Sequence, residues 1–149
     1  MNVNEIMVTD AKSCSSDTTL DQVAMLMWEG NCGSIPVVDS ENKPIGIITD
    51  RDIAMCCAIN HKAPWELSAS TIMADRALFT CSTDESLETA LATMKRQKVR
   101  RLPVTDSYGY FTGMLSIDDV VACSAKGKTA KNMSYDTTMN TLKAVAIHH

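Results

Sequence analysis

Aromatic side chains are scarce, at 5% of 149 residues, and basic residues do not outnumber acidic ones, so the formal charge is −4 and the pI lies near 5.3. A nucleic-acid-binding surface normally combines a basic face with interleaved aromatics, and both shortages argue against one. An uninterrupted apolar run of about 18 residues, long enough to span a bilayer, is also lacking. The N-terminus, with Asn2, Asn4 and Glu5, has neither the charged nor the hydrophobic region of a signal peptide. A cytoplasmic protein without membrane or nucleic-acid partners is therefore expected. No C-x-x-C occurs among the cysteines (positions 14, 32, 56, 57, 81 and 123), and His61, His148 and His149 make no ligand-spaced cluster with them. The expectation is reduced core thiols, with no metal site and no disulfide framework. No nucleophile, base and orienting group fall into an arrangement for catalysis, and His61 stands alone in a polar connector, so no catalytic residue and no enzyme activity is expected.

What the chain does contain is a duplication. Gly46-Ile47-Ile48-Thr49-Asp50-Arg51-Asp52 returns 67 positions later as Gly113-Met114-Leu115-Ser116-Ile117-Asp118-Asp119, and both read G-x-x-[ST]-x-x-D. Residues 19–53 align without a gap to 86–120, pairing Leu20 with Leu87, Met27 with Met94, Pro36 with Pro103 and Asp39 with Asp106. Upstream, Ile6-Met7 answers Ile72-Met73 and Cys14 answers Cys81, with one residue inserted between these anchors. Units of this length exceed the ~20–50 residues of a solenoid repeat and indicate a pseudo-symmetric pair of small domains. Each half alone would be a marginal domain, so the halves are expected to pack on each other.

Each copy reads in the same order. Asp17 and Asp84 are aligned N-cap candidates, followed by Leu20, Val23, Ala24 and Met27 or by Leu87, Ala90, Leu91 and Met94, which is the i, i+3, i+4, i+7 stripe of an amphipathic helix. Ser34-Ile35-Pro36-Val37-Val38 and Arg101-Leu102-Pro103-Val104-Thr105 are short strands whose proline restricts them to a place where one amide need not pair. A polar turn, a second apolar strand ending in the motif, and a second helix beginning near Arg51 or Asp118 complete the unit, with a further short strand near residues 13–15 and 79–81. This is an α/β unit with a small sheet.

The Ile-Met before each repeat, the apolar-Pro-Val strand, the Gly46 and Gly113 turns and the two G-x-x-[ST]-x-x-D runs recur in one order at constant spacing. In these features the chain resembles a tandem pair of cystathionine-β-synthase (CBS) domains, the Bateman module, over about residues 3–124. Ile48-Thr49-Asp50-Arg51-Asp52-Ile53 and Val99-Arg100-Arg101-Leu102-Pro103-Val104 also resemble small stand-alone bacterial CBS-pair proteins of the hypoxic-response type. The resemblance implies two β-α-β-β-α units with pseudo-twofold symmetry, divided here as residues 1–62 and 63–124, with 125–149 a basic linker and C-terminal tail whose last two histidines read as the start of a purification tag. It further implies a regulatory module holding an adenosyl ligand in clefts between the domains. The ligand would be AMP, ADP or ATP, with S-adenosylmethionine and NAD as further candidates, no cofactor would be required, and output would pass to an unidentified protein partner.

Carried onto this sequence, the resemblance places the hydroxyls of Thr49 and Ser116 on phosphate and the carboxylates of Asp52 and Asp119 on the ribose diol. A carboxylate can accept two hydrogen bonds from a vicinal diol, and bonds to a charged acceptor are the stronger sort. The amides opening the following helix would favour an anion. Adenine would enter an apolar slot near Ile35 and Pro36 or Leu102 and Pro103, where backbone groups can read its edge, and Cys14 and Cys81 would lie close to the ligand. The two sites are unequal, because Arg51 offers a fork of donors in the first motif where Asp118 in the second would repel a phosphate. Asp52 is accordingly expected to matter more than Asp119, although Arg100 and Arg101 partly answer Asp118 and have only Gly33 and Ser34 as counterparts. The same residues have a plainer use, since Ser, Thr and Asp at a helix start are what capping requires. A ligand-free interaction or assembly module is the corresponding alternative function.

The first helix also offers Met25, Leu26 and Trp28 where the second has Ala92, Thr93 and Lys95. Surplus large apolar residues mark a contact surface. CBS pairs commonly form disc-shaped homodimers through their helices, so a homodimer burying Trp28 and Met25 is expected.

Overall fold

The computed structural model describes residues 1–126 and 132–146. Residues 127–131, most of the basic linker, and 147–149, with the tag-like His148 and His149, lie outside the described residues.

The i, i+3, i+7 stripe folds as the first helix, α1 (Leu20–Gly30), with Leu20, Val23 and Met27 buried. Its counterpart α4 (Leu87–Gln97) buries Leu87, Ala90, Leu91 and Met94. The aspartates expected to cap them do not: Thr19 and Ser86 are the N-caps, and Ser86 accepts from the Thr89 amide. Both helices end on a residue in the left-handed region, Asn31 (φ 47°) and Lys98 (φ 57°), which turns the chain back toward the following strand.

In the first repeat, β1 (Ser34–Val38) pairs antiparallel with β2 (Pro44–Thr49), with Ile35 opposite Ile48 and Val37 opposite Gly46. β2 runs directly into α2 (Asp50–Asn60). Pro36 needs no partner for a missing N–H, and its carbonyl accepts from the Cys14 amide at 3.0 Å. In the second repeat, β3 (Cys81–Ser82) lies parallel to β4 (Arg101–Thr105), and β5 (Phe111–Ser116) completes the sheet in the order β3-β4-β5 before α5 (Ile117–Ala122) begins. The helix-strand-strand-helix order read from the sequence is present in both copies.

The compact units interleave along the chain. One comprises Asp10–Leu78 with Gly109–Phe111, the other Met1–Thr9, Phe79–Tyr108 and the described residues from Thr112 onward. Packing thus does not divide at residue 62, because each Ile-Met segment serves the other repeat. Ile72 sits in a core with Leu20, Val23, Ile35 and Ile48, joined by Leu67 and by Ala69 of the short helix α3 (Ala69–Met73). Ile6 and Met7 pack against the core of Val3, Leu91, Leu102 and Leu115. The incoming segments run close over the motif strands. Val8 and Met114 exchange backbone hydrogen bonds of 2.8 and 2.9 Å, so a side chain at Gly113 would collide with the Val8 carbonyl oxygen. That approach is open only to glycine.

The C-terminal tail is not merely a tail. β6 (Ser124–Ala125) pairs with β7 (Met133–Ser134), and α6 (Tyr135–Ala146) packs against α4 and α5 with Val145 fully buried and Met133 in the same core. The expected boundary at residue 125 therefore cuts through this unit. Two of the three buried positions of α6 are Thr138 and Thr141, so its inward stripe is mostly polar in composition and weak as a sequence signal.

Candidate functional site

The strand-to-helix junction of each repeat fixes its hydroxyl and carboxylate against each other. Thr49 is the N-cap of α2: its Oγ1 accepts from the Asp52 amide at 3.1 Å, and its own amide donates to Asp52 Oδ2 at 2.8 Å. Ser116 does the same for α5. Its amide and hydroxyl each donate to Asp119 Oδ2 at 2.7 Å, while Asp119 donates its amide to Ser116 Oγ at 3.3 Å. Both motifs are capping boxes. Capping and ligand binding are compatible here, because the box holds each carboxylate at the end of its strand.

The opening amides are largely spent, contrary to the expectation that they would face an anion. In α2, Asp50 N donates to Gly33 O, Arg51 N to Asp50 Oδ1 and Asp52 N to Thr49. In α5, Ile117 N donates to Arg100 O and Asp119 N to Ser116. An anion at either junction would be met by side chains.

The two junctions differ most in what reaches the carboxylate. Arg76 Nη1 donates to Asp52 Oδ2 at 2.9 Å and Arg76 Nη2 to Asp52 Oδ1 at 2.7 Å, a bidentate fork that engages both oxygens. Asp52 is 15% exposed in its side chain and Arg76 50%. Burial alone would raise the Asp52 carboxyl, but the Arg76 hydrogen bonds, those from Thr49 and the Arg76 charge outweigh it and hold the group below the ordinary carboxylate range. Arg76 is absent from the sequence reading. Its one signal was the residue inserted between Met73 and Cys81 relative to Met7 and Cys14, within which it falls. Among the described residues the hydrogen bonds to the Asp119 carboxylate come from Ser116 alone.

Around Ser116 the cations are close at hand. The 2.9 Å bond from Ile117 N to Arg100 O ties the start of β4 to the start of α5. Arg100 and Arg101 consequently line, with Ser116, Ile117 and Asp118, a cavity of about 160 Å³. Asp118 thus shares its surroundings with two guanidinium-bearing residues. The corresponding bond of the first repeat, Asp50 N to Gly33 O at 3.2 Å, brings no cation. A cavity of about 470 Å³ opens there among Met27, Trp28, Cys32, Gly33, Asp50 and Ile53, and among the described residues no basic one lines it.

The remaining predicted positions are interior. Ile35 and Leu102 are core side chains, and Pro36 and Pro103 are buried between them and the next strand residues. Only backbone at these positions is available to read a base edge. Burial pushes the Cys14 thiol up to about 11, against a lowering bond with Thr18, and pushes Cys81 up to about 12 with help from the Glu85 charge. Both remain protonated core thiols at neutral pH. Among the described residues no three His, Cys, Asp or Glu side chains gather as a metal site, and no helix is long and apolar enough to cross a membrane.

Comparison with known proteins agrees with this architecture. The CBS-domain family model matches residues 3–58 and 69–126. Among curated proteins, the inosine-5′-monophosphate dehydrogenase of Mycobacterium leprae is 33% identical over 115 residues, covering 77% of this chain and 21% of the enzyme. The chain thus spans about a fifth of the length of such relatives. Among solved structures, Hypoxic Response Protein I, crystallised with two coordinated zinc ions, superposes with a TM-score of 0.73 at 23% identity over 82% of this chain and 98% of that one. A CBS-domain pair in complex with 5′-methylthioadenosine and S-adenosyl-L-methionine gives a TM-score of 0.69 at 25% identity, over 82% of this chain and 94% of that one. A CBS-domain protein from Pyrobaculum aerophilum complexed with AMP gives 0.74 at 16% identity, over 96% and 99% of the two chains. With its duplicated motif, its two capped strand-helix junctions and a family match over both repeats, this chain belongs to the CBS-domain family as a tandem pair of CBS domains.

Proposed function

We propose that this chain is a cytoplasmic regulatory module, without catalytic activity of its own, that binds AMP, ADP or ATP and passes the signal to a protein partner. One observation carries the reading: Arg100, Arg101 and Ser116 line a single cavity beside the capped carboxylate of Asp119. Such a place offers donors for a phosphate next to an acceptor for a ribose diol. The second repeat is the principal site in this reading, with Ser116, Arg100 and Arg101 on phosphate and Asp119 on ribose. Thr49, Arg51 and Asp52 form a secondary site in the first repeat. The adenosyl compounds held by related CBS pairs support the ligand class.

A thermal-shift panel of AMP, ADP, ATP, NAD and S-adenosylmethionine tests this. A ligand at 100 times its Kd adds ~2.7 kcal/mol to stability, and a shift with at least one adenine nucleotide is the expected result. No shift with any of the five would favour the alternative, a ligand-free assembly module.

Assembly has its own support. On α1, Trp28 is 84% and Met25 54% exposed, and on α2, which contacts α1, Ile59 is 70% and Met55 46% exposed. Leu26, by contrast, is partly buried against its own core. Four large apolar side chains exposed on two contacting helices are what a contact with a copy of itself would cover. Trp28→Glu places a charge in that contact and should convert a homodimer to monomers in sedimentation. A parent protein that sediments as a monomer at micromolar concentration would sink the dimer.

A further inference from the structure

Arg76 does not fall on Asp52 by chance of a long side chain. Asp75 adopts φ 62°, in the left-handed region, and the Arg76 amide closes the turn on the Met73 carbonyl at 3.2 Å. This turn presents Arg76 to the end of β2, and its fork covers both carboxylate oxygens of Asp52. A ribose diol at that junction requires the same two oxygens. Guanidinium and ribose therefore compete for one acceptor.

The outcome of the competition depends on the rest of the ligand. A neutral nucleoside would evict Arg76 and leave its charge with water alone. A nucleotide carries a phosphate on the same sugar, and a half-exposed Arg76 can transfer its fork to that phosphate without repacking the core. Gly33 and Ser34, at the positions of Arg100 and Arg101, supply no cation of their own. In the second repeat, among the described residues, the hydrogen bonds to the Asp119 carboxylate come from Ser116, and no such exchange is imposed by them.

We propose that Arg76 is an internal competitor for ribose at the first repeat's site and makes that site select a nucleotide over the corresponding neutral nucleoside. The proposal rests on the adenosyl-ligand reading above. It assigns Arg76 a role in specificity, exerted through Asp52 before binding and through the phosphate after it.

Calorimetry with AMP and adenosine tests it on the full chain, comparing Arg76 with Arg76→Gln and Arg76→Lys in an Asp119→Ala background that disables the second repeat's carboxylate. In the Gln variant adenosine should bind roughly two- to fivefold more tightly, the worth of a well-formed but partly exposed bidentate pair. The preference for AMP over adenosine should fall by at least that factor. Arg76→Lys, which keeps the charge but not the fork, should lie between the two. Carboxyl NMR should meanwhile show Asp52 titrating at higher pH in Arg76→Gln. Unchanged adenosine affinity, an unchanged AMP preference or an unmoved Asp52 titration would each overturn the proposal. Failure of the parent chain, with Asp119 intact, to bind either ligand would remove the nucleotide reading and the proposal with it, whereas binding by the parent but by no protein of the Asp119→Ala background would overturn the proposal alone.

Discussion

Expressed alone, a fragment ending at residue 62 should remain unfolded, whereas a fragment of residues 10–78 should melt cooperatively. The sequence repeat makes residue 62 look like a natural end, but the first repeat's core includes Leu67, Ala69 and Ile72, all buried. Burying Leu67 and Ile72 contributes about 3–6 kcal/mol at the usual worth of a large apolar side chain. A whole domain has a net stability of only ~5–15 kcal/mol, and one this small sits near the lower end. Residues 1–62 would also expose Val3 and Met7, which pack in the other core. The 10–78 fragment keeps all of Cys14, Leu20, Val23, Met27, Ile35, Val37, Ile48, Leu67, Ala69 and Ile72. Circular dichroism on heating separates the two cases, and a cooperative melt of the shorter fragment equal to that of the longer would defeat the prediction.

Asp119→Ala should weaken AMP binding about ten- to a hundredfold, the loss of ~1.5–3 kcal/mol expected when a charged hydrogen-bond partner is removed. Asp52→Ala should cost much less. This reverses the order expected from sequence, where Arg51 made the first motif the better anion site. Arg51 offers its fork from an exposed position on α2, whereas Arg76 already occupies Asp52, and Arg100 and Arg101 gather at Ser116. Because Asp119 also closes the capping box of α5 from its N3 position, its removal lowers stability as well, and the melting temperature of the variant must be measured beside its affinity. Calorimetry on folded protein that returns equal AMP affinity for parent and Asp119→Ala would refute the assignment, as would a larger loss for Asp52→Ala.

Local periodicity carried most of the fold. The stripes Leu20, Val23, Met27 and Leu87, Leu91, Met94 are spaced for a helix whatever surrounds them, and they form α1 and α4. The prolines at 36 and 103 fall in strands, as their spacing predicted. The motif hydroxyls and carboxylates could be placed at helix starts because a capping box needs only residues three apart. Exact caps were less legible: Thr19 and Ser86 took the places assigned to Asp17 and Asp84, since several neighbouring polar residues satisfy the same local rule. Thr138 and Thr141 hid α6 for the opposite reason, being buried although polar in type.

The sequence by itself determined the duplication, the helix and strand order within each copy, and the pairing of Thr49 with Asp52 and of Ser116 with Asp119, because each depends on interactions between residues near in the chain or on a spacing repeated in it. Tertiary structure alone decided that Ile72 completes the core of Leu20 and Ile48, that Arg76 reaches Asp52 across 24 positions, and that Arg100 and Arg101 share a cavity with Ser116. These contacts join residues that no local rule couples. Their formation depends on where the folded backbone carries each side chain, as the turn at Asp75 carries Arg76 to its carboxylate.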